Sequence, residues 1–492
     1  MAKVLAIVQV GDEWECRCRK QDKEIPRFAG FQWDSGRKSW FTFDSSKVQD
    51  LRALCGRRQI KVREAKLPDV QIGPWKGHPS LAQDGPEFPI PPELAYFPFQ
   101  KGGISYALDR ENTLIADEMG LGKTVQAIGV MNADPVETAL ILCPASLKVQ
   151  WERALDEWLN YYRSVGIASG PRWPTTHIVI ANYDILKNHH DNLRSKTWDV
   201  VIADECQYLK NPKAKRTMAV YGDNGKDSIP CKRFLGLTGT PVDSRPIDLF
   251  ATLRYMLPQT FYSWWEYTLL YCDGHFRQWD YKYSGSSNMR TLGAILRQEV
   301  MVRRLKTHVL SQLPSKRREI IELEATPEAI KAVKEEVTLY EQASSASFNL
   351  AETGDIVGAN DAQLKALSQI SKARIQTALA KVKPALEVIR DWIAGEKVVI
   401  VCYHRKVMDA FQRAFGDASV SIHGGVPSEF RSQVVDQFVK DESKRVFIMQ
   451  VGISAGLDGI QKVCNHGVFF EFDWRSGVML QAEDRLWRIG QL

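Results

Sequence analysis

Two short strings carry residue types suited to a nucleoside triphosphate. The first is Asp117-Glu118-Met119-Gly120-Leu121-Gly122-Lys123-Thr124, which follows an aliphatic run and precedes a helical one. That strand–loop–helix setting is what a phosphate-binding loop requires. Gly120 and Gly122 let backbone N–H groups close around phosphate oxygens with no Cβ in the way, and the helix start adds a partial positive charge. Lys123 then reaches the β- and γ-phosphates, and the Thr124 hydroxyl ligates Mg²⁺. Asp117 stands where the common pattern has its first glycine. The competing reading is a glycine-rich turn capping an ordinary helix.

The second string is Asp204-Glu205, at the end of the aliphatic run 200–203. Acids there emerge at the carboxyl edge of a parallel sheet, where open α/β folds bind ligands. Asp204 suits Mg²⁺ coordination and Glu205 suits polarisation of an attacking water. Alone the pair is a solvated strand end; beside a phosphate loop the functional reading wins. Thr238 and Thr240, in Leu237-Thr238-Gly239-Thr240-Pro241, follow another apolar strand and supply hydroxyls to couple the acid pair to the rest of the molecule; a plain turn is the alternative. Near the end of the chain a helix is expected over 477–488. Gln481, Arg485 and Arg488 fall at i, i+4 and i+7 on it, one shared face. Two guanidiniums there suit charge spreading over a γ-phosphate, as arginine fingers do. Because they lie far along the chain from Lys123, ATP is expected between two lobes.

The elements that must position these groups show a regular rhythm. Strands are expected at 113–116, 139–143, 177–182, 200–203 and 234–237, and again at 398–402, 420–422, 446–450 and 468–472. Helical segments lie between them, the pattern of parallel sheets with crossover helices. Leu147, Trp151, Leu155 and Leu159 repeat every four residues and line one helix face. The expected fold class is therefore α/β: two parallel-sheet lobes with a helical insertion between them, preceded by a small β-rich module. The expected divisions are a β-rich module 1–66, a Pro/Gly-rich linker 67–92, lobe 1 at 93–256, the insertion 257–380 and lobe 2 at 381–492.

Composition agrees. The 492 residues suggest roughly three domains. Apolar residues make up 44% and charged residues 25%, ordinary for globular chains with more than one core. The net charge of +6 permits an anionic partner without demanding one. No apolar run approaches the ~18 residues of a membrane span, so no membrane partner is expected. Nine scattered cysteines with no CxxC argue against a structural zinc or disulfide framework and for an intracellular setting. That setting is cytoplasmic in a bacterium or phage and nuclear in a eukaryote.

Assembled, these strings resemble superfamily-two helicase-type ATPases, and more narrowly the Swi/Snf-related DNA translocases, over residues 93–492. DEMGLGKT with its leading Asp117 is that family's form of the phosphate loop. Tyr96–Gln100 resembles its Q motif, which implies that Gln100 reads adenine. Cys143–Leu147 with Trp151-Glu152 resembles motif Ia, DECQYLKN at 204–211 motif II, LTGTP motif III, SAGLDG at 454–459 motif V, and QAEDRLWRIGQ at 481–491 motif VI. The resemblance implies two RecA-like lobes, ATP and Mg²⁺ as cofactors, and an ATPase activity that drives movement along duplex or forked DNA. It implies coupling roles for Gln207, Gly456 and Gly459, and nucleotide contact for Gln481. It makes Lys213, Arg216, Arg303, Arg304 and Lys316 candidate DNA-phosphate contacts. Trp33-Asp34, Trp40 and the YKYSGSSN string at 281–288 resemble the branch of annealing helicases with an N-terminal HARP domain. Cys206-Gln207 and Asp458-Gly459 depart from the family pattern. A DEAD/DEAH-type strand-separating helicase, a nucleotide-gated DNA-binding subunit, and the motor of a larger repair or remodelling assembly remain open.

Overall fold

The computed structural model describes residues 4–491 apart from 38, 74, 76, 224–225, 243–244, 277–279, 311, 353–355, 454–456, 458, 474 and 489. It is also silent on the side chains of 343–344, 346–352, 356–367, 428–429 and 476. The chain forms two compact units, Met1–Val309 and Leu310–Leu492.

The first unit is built on a seven-stranded sheet. Its order is Met301–Val302, Asn112–Ile115, Cys231–Leu237, Trp198–Asp204, Ala139–Cys143, Ile178–Asn182 and Val165–Ile167. All its pairings are parallel. Ala139–Cys143 and Ile178–Asn182 are buried along their whole length, as expected when helices cover both faces. The helix Lys148–Trp158 packs on it through Trp151 and Leu155, with Leu147 just before. Its apolar spacing is the one expected.

A second sheet opens the chain. Val4–Val10 pairs antiparallel with Glu13–Arg17 and parallel with Lys61–Lys66, while Ser39–Thr42 and Gln32–Asp34 extend the sheet beyond Glu13–Arg17. Strand alternation gives this small sheet two dry faces. Leu5 and Ile7 join Val48, Leu51 and Cys55 of the helix Ser45–Arg57 in a core of their own. Ala6, Val8 and Ala65 face the other way, into the large core of the first unit. Arg17 seals that seam by donating from Nη1 to the carbonyls of Leu269 (3.0 Å) and Gly274 (2.8 Å), and Arg63 lies 4.9 Å from the centre of a Trp265 ring.

The second unit holds a four-stranded sheet in the order Ser419–Ile422, Val446–Gln450, Val398–Cys402, His466–Phe469, again all parallel. Its two faces bury alternate residues. Val399, Val401, Phe447 and Met449 lie on one side, and Val398, Ile400, Val446 and Ile448 on the other. A helical pair, Pro327–Glu352 and Ile356–Ile393, precedes it.

The α/β class, the paired parallel sheets and the β-rich opening are therefore as expected. The division of the middle differs. The segment anticipated as one insertion, 257–380, is shared out: its first part completes the seven-stranded sheet through Met301–Val302, and its long helices go with the second unit. The reason is edge pairing. Leu114 and Ala116 donate their N–H groups to the carbonyls of Val300 and Val302, a partner that only the folded chain brings alongside.

Candidate nucleotide site

The phosphate loop takes its shape from two left-handed residues. Gly120 has φ +81° and Gly122 φ +70°, values that cost other residues strain. Gly122 also caps the helix Lys123–Ala133. A Cβ there would crowd Nε2 of Gln100, so a larger residue would meet the torsional strain and also displace that amide. The Lys123 ammonium donates to the carbonyls of Asp117 (3.1 Å) and Glu118 (3.5 Å). Burial pushes its pKa down, against the pull of Glu205, Asp117 and Asp204.

The acid pair emerges where expected. Asp204 ends the central strand in register with Leu237. Its Oδ2 accepts from the Trp151 indole at 2.8 Å, and Oδ1 accepts the Glu205 N–H at 3.0 Å. Burial, then the neighbouring Glu205 charge, raise its pKa to about 7. Glu205 sits at φ +52°, a conformation rare outside glycine, asparagine and aspartate, and so a strained placement at a functional edge. Gln207 Nε2 donates to Glu205 Oε2 at 2.6 Å, so Gln207 touches the acid itself.

The Thr238–Thr240 turn closes the cluster. Thr238 Oγ1 accepts the Thr240 N–H at 3.1 Å, and the Thr238 N–H binds the Ile115 carbonyl just before the phosphate loop. A Cβ on Gly239 would stand 3.4 Å from the Lys123 Nζ. Loop lysine, acid pair and threonine turn thus converge on one sheet edge. Within it, Gln207 Oε1 and Thr240 Oγ1 are buried with no hydrogen-bond partner among the described residues. Unsatisfied polar atoms at this edge fit a polyphosphate with its metal and waters. One carboxylate, one hydroxyl and phosphate oxygens are also the donor set Mg²⁺ prefers; Asp204 and Thr124, the second residue of the loop's helix, supply the first two.

Several expected residues have other work. Asp117, expected at the nucleotide, is fully buried with its carboxylate turned to Arg304 and Gln126. Gln100, expected at adenine, is 2% exposed; its Oε1 accepts from the Phe97 N–H and its Nε2 donates to the Leu121 carbonyl. An adenine would have to use the amide's remaining N–H and lone pair. Three of the five proposed DNA contacts are engaged inside the fold, and one of them, Arg304, is closed off from any phosphate. Arg304 is 2% exposed and ion-paired with Asp117. Arg303 donates to the Ala116 and Gly239 carbonyls. Lys316 binds Glu483 (2.7 Å) and Asp484 (3.5 Å). Buried or half-buried cations find anions and carbonyls inside the fold. Lys213 is exposed, and Arg216 is half-buried with its guanidinium 5.7 Å from the Tyr208 ring centre.

In the second unit the expected helix is cut short. It spans Ser476–Glu483, and the chain then turns, with Arg485 bonded to the Ala482 carbonyl and Leu486 to that of Glu483. Gln481 is thus helical, while Arg485 and Arg488 lie in the turns beyond, so the three do not share a helix face. The cause is tertiary: Lys316 and Arg318 hold Glu483, and the Trp487 indole donates to the Pro314 carbonyl. Arg485 Nη1 reaches the Leu457 carbonyl at 3.5 Å. Gly459, at φ +101°, begins the short turn Ile460–Lys462; Gly456 lies outside the described residues.

Trp151 and Gln126 were not expected in the site. Trp151 reads as one more apolar residue on a helix face, and only its indole N–H hints at a polar partner.

Comparison with known proteins agrees with this geometry. A model described as SNF2-related domain matches residues 99–376, and one described as helicase conserved C-terminal domain matches 380–490. The DNA annealing helicase and endonuclease ZRANB3 of Bos taurus is 33% identical over 417 residues, 80% of this chain and 37% of that protein. The Caenorhabditis elegans homolog of SWI/SNF-related matrix-associated actin-dependent regulator of chromatin subfamily A-like protein 1 is 29% identical over 488 residues, 95% of this chain and 67% of that one. A solved Sulfolobus solfataricus SWI2/SNF2 ATPase core in complex with dsDNA aligns at 21% identity and TM-score 0.41 over 81% of this chain and 86% of that one. The chain spans little more than a third of the first relative's length. With more than half its residues under one family model, and a phosphate loop, acid pair and threonine turn on one sheet edge, the chain belongs to the SNF2-related family.

Proposed function

We propose that this chain is a DNA-dependent ATPase that moves along double-stranded DNA, remodelling or reannealing forks or displacing bound protein. The observation that carries the reading is the meeting of Lys123, Asp204, Glu205 and the Thr238–Thr240 turn at one carboxyl edge. The names of its relatives, one an annealing helicase, support DNA as the track.

In this reading the loop amides and Lys123 cradle the β- and γ-phosphates. Asp204 and Thr124 hold Mg²⁺, which when bound neutralises charge on the phosphate oxygens. Glu205 orients a water and takes its proton as the water oxygen bonds to the γ-phosphorus and ADP departs. Gln207 fixes the carboxylate that does this. Arg485 and Arg488, from the second unit, are the proposed arginine fingers, with Gln481 beside them. Gln100 serves the adenine end. Gly456 and Gly459 are proposed to couple this chemistry to the DNA grip, where Lys213 and Arg216 remain the candidate phosphate contacts. The β-rich opening is proposed to be the HARP-like module. Among the described residues no helix is long and apolar enough to cross a membrane.

Steady-state phosphate release, measured with and without duplex DNA, tests the reading. Lys123→Ala should abolish DNA-stimulated turnover while the chain still melts cooperatively, within several degrees of the unmodified protein. Stimulation by single strands or RNA but not by duplex would favour a strand-separating helicase instead. Turnover retained by Lys123→Ala would refute the nucleotide site.

A further inference from the structure

Arg304 sits at the centre of a fully satisfied charged network in the first unit. All five N–H groups of its guanidinium find acceptors. Nε donates to Asp117 Oδ1 (2.9 Å); Nη2 donates to Asp117 Oδ2 and to Gln126 Oε1 (2.7 Å); Nη1 donates to the carbonyls of Phe99 and Ala82 (3.2 Å). The Arg304 backbone N–H adds a further bond to Asp117 Oδ1 (2.8 Å), and Gln126 donates to Oδ2 (2.9 Å). The side chains of Arg304 and Asp117 are 1% and 0% exposed. Space is reserved for the network: a Cβ on Gly103 would lie 1.9 Å from Gln126 Oε1 and 2.6 Å from Arg304 Nη2.

The two strands of chain that carry this pair run side by side. The Ala116 N–H binds the Val302 carbonyl and the Glu118 N–H binds the Arg304 carbonyl, while the Lys306 N–H donates to Glu118 Oε2 (2.7 Å). Arg303 ties the Ala116 carbonyl to that of Gly239 in the threonine turn. The phosphate loop's rising limb is therefore matched, residue by residue, to 302–306. That segment leads straight to Val309, where the first unit ends.

We propose that Arg304 and Asp117 are positioning residues that lock the phosphate loop to the 302–309 segment, so that nucleotide on the loop is felt in the chain leading to the second unit. This rests on the nucleotide reading of Lys123 and the acid pair. A buried ion pair of this kind is weak evidence for net stability, and what its bonds fix here is the register of the loop against 302–306. It also accounts for a carboxylate in a loop position where the common pattern has glycine: Asp117 is aimed at the connector and not at the ligand.

Hydrogen exchange of the full chain, with and without Mg·ADP, tests the lock. In the unmodified protein, Mg·ADP should slow exchange at 118–125 and also, by about tenfold, at the Arg304 and Lys306 amides, the scale of ordinary coupling free energies. Arg304→Lys keeps the charge but loses the planar fork. It should retain protection at 118–125 and lose it at 302–309. Should that variant melt before assay temperature, the neutral pair D117N/R304Q takes its place with the same expectation. Undiminished protection at 302–309 in the variant overturns the proposal, as does protection confined to the loop in the unmodified chain. No protection at the loop in the unmodified chain would instead overturn the nucleotide site itself.

Discussion

The two units hold their candidate catalytic groups in different ways. In the first, each group is fixed by a bond of its own: Asp204 by Trp151 of another element at 2.8 Å, Glu205 by the nearby Gln207 at 2.6 Å, Lys123 by the loop's own carbonyl at 3.1 Å. In the second, Arg485 and Arg488 lie in turns past a helix end, and the bond from Arg485 to the Leu457 carbonyl is 3.5 Å. What is held tightly there is the turn's base, through Lys316, Arg318 and Glu483. The contrast fits a division of labour. A site whose partners are buried is pre-organised before its ligand comes, while groups on turns can answer a ligand with small torsional changes.

Breaking the second half of that contrast should give the largest effect. Arg488→Ala or Arg485→Ala is expected to lower kcat by about a thousandfold, the size of an arginine finger. Binding of Mg·ADP, followed by fluorescence of a labelled nucleotide, should change little. Loss of binding in step with turnover would move these arginines out of the finger role.

The first half is sharpened by Trp151→Phe, which keeps an aromatic ring on the same helix face but removes the indole N–H together with part of the buried ring system. A hydrogen bond to a charged group is worth about 1.5–3 kcal/mol, so Mg²⁺-dependent nucleotide affinity should fall by roughly ten- to a hundredfold. An unchanged Mg²⁺ titration would reduce Trp151 to packing.

The same carboxylate predicts a smaller, pH-linked effect. Asp204 has its pKa raised to about 7 by burial and by Glu205. The folded chain therefore binds this proton more tightly than the unfolded chain, whose aspartates titrate near ~3.9. Stability contributed by the proton is present below the unfolded value and is lost as pH rises through about 7. In the metal-free protein Asp204→Asn should raise the melting temperature by a few degrees at pH 8, with the gain shrinking by about half or more at pH 5 and vanishing only below about pH 4. A gain equal at both pH values would show that charge is not the cause.

The smallest effect is expected at the base of the turn. Lys316→Ala removes a half-buried pair and should cost about 1 kcal/mol by denaturant titration, together with a modest fall in turnover as the chain around Arg485 loosens. A full loss of activity would mean that Lys316 does more than hold the turn.

Much of the scaffold is legible in the sequence. The strands Ala139–Cys143, Val398–Cys402 and Val446–Gln450 match their expected bounds because each is built on an apolar run of at least four residues that a doubly covered sheet can bury. The phosphate loop and acid pair are legible because their chemistry is local: glycines beside a lysine, acids at a strand's end. Met301–Val302 is not legible, since two apolar residues make no periodic pattern and their place comes from the neighbouring strand. The end of the last helix at Glu483 is hidden for a similar reason. Helix-favouring residues continue past it, while the groups that hold the turn there, Lys316 and Arg318 on Glu483 and the Pro314 carbonyl on the Trp487 indole, come from a segment far away in the sequence.

The sequence by itself determined the α/β rhythm and the groups able to meet a triphosphate, because both are written in windows of a few residues. Tertiary structure alone decided which cations are spoken for. Arg304 and Asp117 are 187 residues apart in the chain, yet each is the other's counter-charge in a space closed to water. A basic residue in a charged stretch reads as solvated until folding buries it. Once buried, an ion costs several kcal/mol unless a partner is near, so the fold supplies the partner that no local pattern shows.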